Sequence, residues 1–567
     1  MSVYRKAWFD NAGAQRIWEM RYRAGSCESS IEDTWWRVAL NLAGVEQDVA
    51  RWALLFYEAL CGFRFIPAGR ILAGAGIRGE VTLVNCFVSD SPRPRIDAEL
   101  DHLKQVARTL EFGGGVGCDF SNVSASGINA PAIDTYLRLW DAVAAMVEAS
   151  GTRRGAMMAT LRCDHPDIER FIESKNNLRD LTHFNLSVLI TRAFMQAVHE
   201  HSRFPLLQTP GGDTVRTIDA RQLFEHIAEL AFEHGEPGVF FVDMINDENN
   251  LWYREKIGAA NPCGEVPLPP HGACVLGSVN LTQLVKAPFT DMAQFEFDAL
   301  RDVTALGVRM LDNVIDVTRF PLLEQKSYAK ETRRLGVGVT GLGDALAMMG
   351  LHYGSPNSVQ FTRRVMQTLR DAAYETSIEL AREKDPFPAL VATQFLESGF
   401  AQRLPESIRS GIRRYGIRNS HLLAVAPSGS ISLLANNISS GIEPIFDTTC
   451  ERTIKTLDGR GENVKLIDYA YGMWESMGSR DGLTTRFDTA QELCWQAHIE
   501  IQAAVQPYVD NAISKTVNLP PHANVHDAVD VFDLAYRRGL KGCTLFHTGG
   551  SRPSVLRPSL PDSGATY

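Results

Sequence analysis

The chain has 567 residues, of which 45% are hydrophobic and 22% charged, with a formal net charge of −10. That length exceeds one small core, and the composition excludes a mainly disordered chain. With that negative balance no general polyanion-binding surface can be assumed, so nucleic acid is not an expected partner, while a local pocket for one phosphorylated small molecule stays open.

From the N-terminus, "MSVYRKAWFDNAGAQRIWEMRYR" lacks the apolar stretch of a signal peptide, and no run approaches eighteen uncharged apolar residues. The chain therefore reads as cytoplasmic, with no membrane partner. Between about 14 and 63, apolar residues recur three and four apart, which predicts a helical hairpin, with Ser30 as an N-cap and Glu32 and Asp33 in the first turn. Residues 1–80 are read as an N-terminal helical region.

After "IPAGRILAGAG" the pattern changes to short apolar runs, "VTLVNCFVSD", "FNLSVLIT", "GVFFVDM" and "HLLAVAPSGS". These alternate with amphipathic segments at 132–150, 219–234, 294–318, 357–384 and 484–505. Alternation over more than 400 residues predicts an α/β fold, most simply a barrel, over 81–548. The remainder, 549–567, is rich in Ser and Pro, lacks apolar periodicity and is expected to be a loose tail.

Several glycine and serine clusters carry two readings each. "EFGGGVGCDFS", Gly113 to Gly117, is either a tight turn into a strand or a place where something approaches the backbone closely. "RRGAMMATLRCDHPDIE" puts Arg153 and Arg154 in a glycine-flanked loop, either solvated or clamping a phosphorylated ligand. Gly336, Gly338 and Gly341 in "GVGVTG" match a dinucleotide-binding spacing without its context, and are read as close helix packing. Pro427, Ser428, Gly429, Ser430, Ile431 and Ser432 end an apolar strand where a helix resumes, which suits either an ordinary N-cap or phosphate.

Ten cysteines are present, no two within four residues of each other, so no zinc knuckle or CxxC motif forms locally. Any disulfide is long-range and, in a reducing compartment, catalytic. Seven cysteines sit in apolar or helical settings, whereas Cys86, Cys263 and Cys274 adjoin Gly, Asn or Pro at strand or loop edges. In "NPCGEVPLPPHGAC" an amide, a thiol and a carboxylate alternate as Asn261, Cys263 and Glu265. Three thiols and a carboxylate suit reductive radical chemistry.

Taken in order, "VNCFVSD", "FGGGVG", "RRGAMMATLRCDHPDIE", "NPCGEVPLP" and "APSGSIS" resemble the catalytic chains of ribonucleotide reductases, most closely the class II, adenosylcobalamin-dependent branch. The resemblance implies a ten-stranded α/β barrel with a finger loop carrying "NPCGE". It implies that Cys263 becomes a thiyl radical, that Glu265 takes the 3′-hydroxyl proton and that Asn261 holds the sugar hydroxyls. Cys86 and Cys274 are then the reducing pair that ends as a disulfide, with Cys86 donating to the departing 2′-hydroxyl. Asn85, Gly114, Gly115, Pro262 and Gly264 would line the ribonucleotide, Pro427 to Ser432 would take its phosphates, and Arg153 and Arg154 would belong to a specificity loop.

The class assignment rests on Leu545 and Phe546, which stand where subunit-fed members of the family carry two adjacent tyrosines. The chain shows no C-terminal cysteine pair or ATP-binding cone, so a thioredoxin-like protein or a small thiol is the expected reductant. A shortened loop after Ser121 leaves the dNTP effector, and the choice between monomer and homodimer, open. The alternatives are a class I-like reductase needing a separate radical subunit, a glycyl-radical lyase, and a non-catalytic nucleotide-binding relative.

Overall fold

A computed structural model describes residues 8–79, 81–93, 95–123, 131–149, 155–177, 179–455, 461–478, 487–551 and 556–558. The expected N-terminal helices are Ala12–Arg21, Ile31–Ala43 and Val49–Leu60. Ser30 caps the second helix in a reciprocal box, its backbone N–H donating to the Asp33 carboxylate at 2.9 Å. Trp35, Val38, Leu42 and Phe56 are buried. A salt bridge docks this layer on helix Phe297–Val317, where Arg309 donates to both Glu46 oxygens at 2.8 and 2.7 Å. Burial pushes the Glu46 carboxyl up, but bonds from Arg309, Lys384 and Asn313 outweigh it and hold the group at about 2.

The sheet is built from two parallel halves. Strands Cys86–Val88, Gly115–Asp119, Met157–Arg162, Phe184–Ile190 and Gly238–Phe241 run parallel in that order. Ala273–Asn280 runs parallel to Leu335–Thr340, and Thr516–Leu519 to Gly542–His547. The halves join antiparallel at Cys274 opposite Cys86 and at Gly542 opposite Phe240.

The ring closes through segment 422–425, which bridges Val337 to Leu423 and Val425 to Ile513, both parallel. The ten-stranded sheet itself takes in Phe65–Pro67, antiparallel to Ala273–Asn280, and segment 422–425 adds isolated bridges between Leu335–Thr340 and the residue Ile513 just before Thr516–Leu519. Side chains complete its bonding. The Asp510 carboxylate accepts from Leu422 N and Leu423 N at 2.8 Å each, and Asn511 Nδ2 donates to Leu335 O and Leu423 O at 3.0 and 2.8 Å. The parallel strands are buried along most of their length, as expected where helices cover one face and a filled interior the other. The helices Ile133–Ala149, Ala220–His234, Phe297–Val317 and Pro356–Lys384 lie close to the amphipathic segments expected, whereas of 484–505 only Trp495–Val505 is helical and 487–494 is irregular.

Inside the ring, a short hairpin pairs Ala259 with Leu268 and Ala260 with Pro267, and Asn261 to Val266 form its tip. The glycines of "FGGGVG" make room for this finger. A Cβ on Gly117 would stand 1.8 Å from the Ala260 carbonyl oxygen, and one on Gly115 would stand 2.9 Å from Pro262 Cγ. Both readings of that cluster hold, because Gly113, at φ +90, turns the chain into the strand while the next glycines admit a close neighbour.

Two expectations change. Gly336 and Gly338 lie in strand Leu335–Thr340 rather than at a helix contact. Cβ atoms there would meet Ala424 at 2.8 and 2.3 Å, so these glycines let segment 422–425 close the ring. The expected loose tail contributes a strand, Leu556–Pro558, that pairs with Cys450–Arg452.

Gly117→Ala is expected to lower unfolding free energy by about 3 kcal/mol, because backbone rather than a yielding side chain blocks the new methyl group. Gly429→Ala, with nothing within 4 Å of its Cβ position, should change it by less than about 1 kcal/mol. Urea unfolding compares the two, and equal effects would contradict the finger contact.

Candidate active site

The site forms where the two half-sheets meet. Cys86 and Cys274 are direct partners on neighbouring antiparallel strands. Such partners have Cα atoms about 4.5–5.5 Å apart, inside the ~4.4–6.8 Å range that a disulfide spans. Both thiols are free and buried. Burial pushes both up, and the neighbouring Glu265 carboxylate adds to the rise at each.

The finger tip brings the remaining groups to this pair. Asn261 Oδ1 accepts from Val266 N at 2.9 Å, and its carbonyl accepts from Gly264 N at 2.9 Å, which fixes the turn. Gly264 holds φ +83, a left-handed conformation that favours glycine. With its oxygen committed, Asn261 turns Nδ2 toward Cys86 and donates to Sγ at 3.2 Å. The Cys86 thiol faces Glu265 Oε1 at 4.0 Å.

Glu265 is 2% exposed, and its Oε2 has no hydrogen-bond partner among the described residues. Burial pushes its carboxyl up to about 7, against the lowering effect of Asn261. A carboxyl poised there serves as acid or base at neutral pH. Cys263, by contrast, is exposed. It opens on a cavity of about 600 Å³.

Of the expected substrate contacts, Pro262, Gly264, Pro427, Gly429 and Ser432 line that cavity together with Cys263. Asn85, Gly114, Gly115, Ser428, Ser430 and Ile431 are not among the lining residues. The Cβ direction of Gly114 is filled by the Phe87 ring and that of Gly115 by Pro262. Ser428 takes a left-handed conformation, φ 54, to start the short helix Gly429–Leu434. Arg153, Arg154 and much of the loop after Ser121 lie outside the described residues.

The cavity wall also holds residues that sequence reasoning passed over. Asn185 is a polar residue inside the apolar run of strand Phe184–Ile190, a signal that could have marked it. Lys515 is buried and uses its three N–H groups on Glu443, His498 Nδ1 at 2.8 Å and Thr516 O at 2.7 Å. That saturation ties segment 440–446 to strand Thr516–Leu519, and Glu443 accepts from Thr516 N at 2.9 Å as well.

The cavity beside Cys263 is where a bound radical source would sit. Phe546 lies on the cavity wall, whereas Leu545, the next residue of the strand, is buried in the core beneath the outer helices, and the described lining residues include no tyrosine, tryptophan or histidine. Leu433, Phe446 and Phe546 supply an apolar wall for such a group. The residues present fit a cofactor held against Cys263.

Residues 84–546 match the ribonucleotide reductase barrel domain, and residues 7–80 the ribonucleotide reductase all-alpha domain. The vitamin B12-dependent ribonucleoside-diphosphate reductase of Mycobacterium tuberculosis (strain CDC 1551 / Oshkosh) is 34% identical over 97% of this chain and 78% of its own length. The protein of the same description from Thermoplasma acidophilum is 29% identical over 88% of this chain and 66% of its own. The ribonucleoside-diphosphate reductase subunit alpha of Chlamydia trachomatis serovar D is 25% identical, covering 99% of this chain and 61% of its own length. With a finger, a facing cysteine pair and a barrel match across most of its length, the chain belongs to the ribonucleotide reductase family.

Proposed function

We infer that the protein reduces ribonucleoside diphosphates to 2′-deoxyribonucleotides with adenosylcobalamin as cofactor. The observation that carries this reading is the Cys86–Cys274 pair set beside Asn261 and Glu265, with Cys263 open to the cavity on the same finger. The relatives named vitamin B12-dependent ribonucleoside-diphosphate reductases support the cofactor and the diphosphate.

When bound, adenosylcobalamin supplies the one-electron oxidising equivalent that converts the Cys263 thiol to a thiyl radical. Cys263 takes the hydrogen from C3′ of the ribose, and the Glu265 carboxylate takes the 3′-hydroxyl proton. Asn261 holds the sugar hydroxyls in reach of both. Cys86 protonates the 2′-hydroxyl, which leaves as water. Cys86 and Cys274 together give two electrons and close as a disulfide, and Cys263 returns its hydrogen to C3′.

The substrate phosphates lie at Pro427 to Ser432, where Gly429 leaves open space. Asn85, Gly114 and Gly115 support the sugar side of the site from behind the finger. A thioredoxin-like protein or a small thiol reopens the disulfide, in the reducing cytoplasm. No helix among the described residues is long and apolar enough to cross a membrane.

Anaerobic turnover of CDP and CTP, with adenosylcobalamin and dithiothreitol omitted in turn, tests this reading. Deoxynucleotide should form from CDP and only with cobalamin present; product without cobalamin would overturn the cofactor. Cys263→Ala should abolish product while leaving nucleotide binding intact, and retained reduction would sink its role.

Glu265 adds a pH signature. Its folded value of about 7 lies above the ordinary 4.5, so the folded chain binds this proton more tightly than the unfolded one. Its contribution to stability is full below about pH 4.5 and lost as pH rises to about 7, by roughly 3 kcal/mol. Glu265→Gln should flatten that decline in urea unfolding at pH 5 and 8. Turnover in the parent should rise through pH about 7 as the base ionises; a flat profile in both measurements contradicts the assignment.

A further inference from the structure

The finger touches the barrel wall at a bond that the reaction scheme leaves unused. Asn185 Nδ2 donates to the Pro262 carbonyl at 2.8 Å, and Asn185 lines the cavity with Cys263. That carbonyl belongs to the peptide unit that ends at Cys263 N, and a peptide unit is planar. Fixing the oxygen therefore fixes the plane from which the Cys263 side chain departs. On the other side of the finger, Pro262 rests against Gly115, so the peptide is held between a packing surface and one directional bond.

The donor is itself well anchored. His183, two residues earlier, lies between Asp141 Oδ1 at 3.1 Å and Glu148 Oε2 at 2.9 Å on helix Ile133–Ala149. On the next residue, Leu186 N donates to Glu236 Oε2 at 3.1 Å, and Lys175 pairs with the same carboxylate at 2.9 and 3.0 Å. Bonds on both sides leave Asn185 on a stiff strand start, which is what a positioning group needs.

We propose that Asn185 is a positioning residue for Cys263, its amide donor orienting the Pro262–Cys263 peptide so that the thiol faces the substrate. This rests on the reading of Cys263 as the hydrogen-abstracting thiol. A reacting atom displaced by about 1 Å loses on the order of 100-fold in rate.

Asn185→Asp keeps the shape and replaces the donor with an acceptor facing the Pro262 oxygen. It should lower kcat on the order of 100-fold while leaving the KM for CDP within about twofold. Peptide-resolved iodoacetamide labelling of the protein without cofactor gives a second readout. The Cys263 rate should change about fivefold or more, in line with one lost hydrogen bond, while the exposed Cys27 and Cys494 keep theirs.

Unchanged kcat together with unchanged Cys263 labelling would overturn the proposal. A labelling change in a protein whose parent makes no deoxynucleotide would instead reject the functional reading and leave the positioning contact standing. If buried Cys118 becomes labelled in Asn185→Asp, the fold has been lost, and Asn185→Ala then decides by the same two readouts.

Discussion

Two positions without side chains govern how the active site is assembled. Gly115 and Gly117 present bare backbone to the interior of the barrel, and the finger lies against it with Ala260 and Pro262 where methyl groups would otherwise stand. Everything catalytic follows from that seating. The finger tip turns Asn261 and Glu265 toward Cys86, and leaves Cys263 exposed on the cavity wall. A carboxyl that lies alone in aqueous surroundings would be fully ionised at neutral pH, whereas enclosure beneath the finger holds Glu265 at about 7.

The cysteine pair depends on a second constraint, the antiparallel seam between two parallel half-sheets. Parallel neighbours need long crossovers, so residues far apart in sequence become partners across a seam. Cys86 and Cys274 meet in this way. The ring that holds the seam closes through segment 422–425, whose short bridges are reinforced by Asp510 and Asn511. Lys541 secures that corner in turn, donating to the backbone oxygens of Asp510 and Asn511 at 2.7 and 2.6 Å. Buried polar groups thus do at this stave what a regular ladder does elsewhere.

Much of this was legible in the chain because helices advertise themselves by period. The segments at 132–150 and 219–234 match observed helices to within a residue or two. Strands between them were visible as short apolar runs, and the order of motifs pointed to the barrel. The pairing of Cys86 with Cys274 was not legible from spacing, since 188 residues separate them and only topology brings them together. "GVGVTG" does not read as a strand because glycines carry no period, so a strand that lacks side chains on one face gives no strand signal. Asn185 escaped notice because a single polar residue in a strand is as often a satisfied core group as a functional one, and only its bond to Pro262 distinguishes them.

The central claim is that three thiols divide the labour, with Cys263 carrying the radical and Cys86 and Cys274 supplying the electrons. The most direct measurement is non-reducing peptide mapping after a single anaerobic turnover of CDP with adenosylcobalamin and no added thiol. One Cys86–Cys274 disulfide per deoxynucleotide formed is predicted, with Cys263 recovered as the free thiol. Product formed with those two cysteines still reduced, or with Cys263 in the disulfide, would contradict that division.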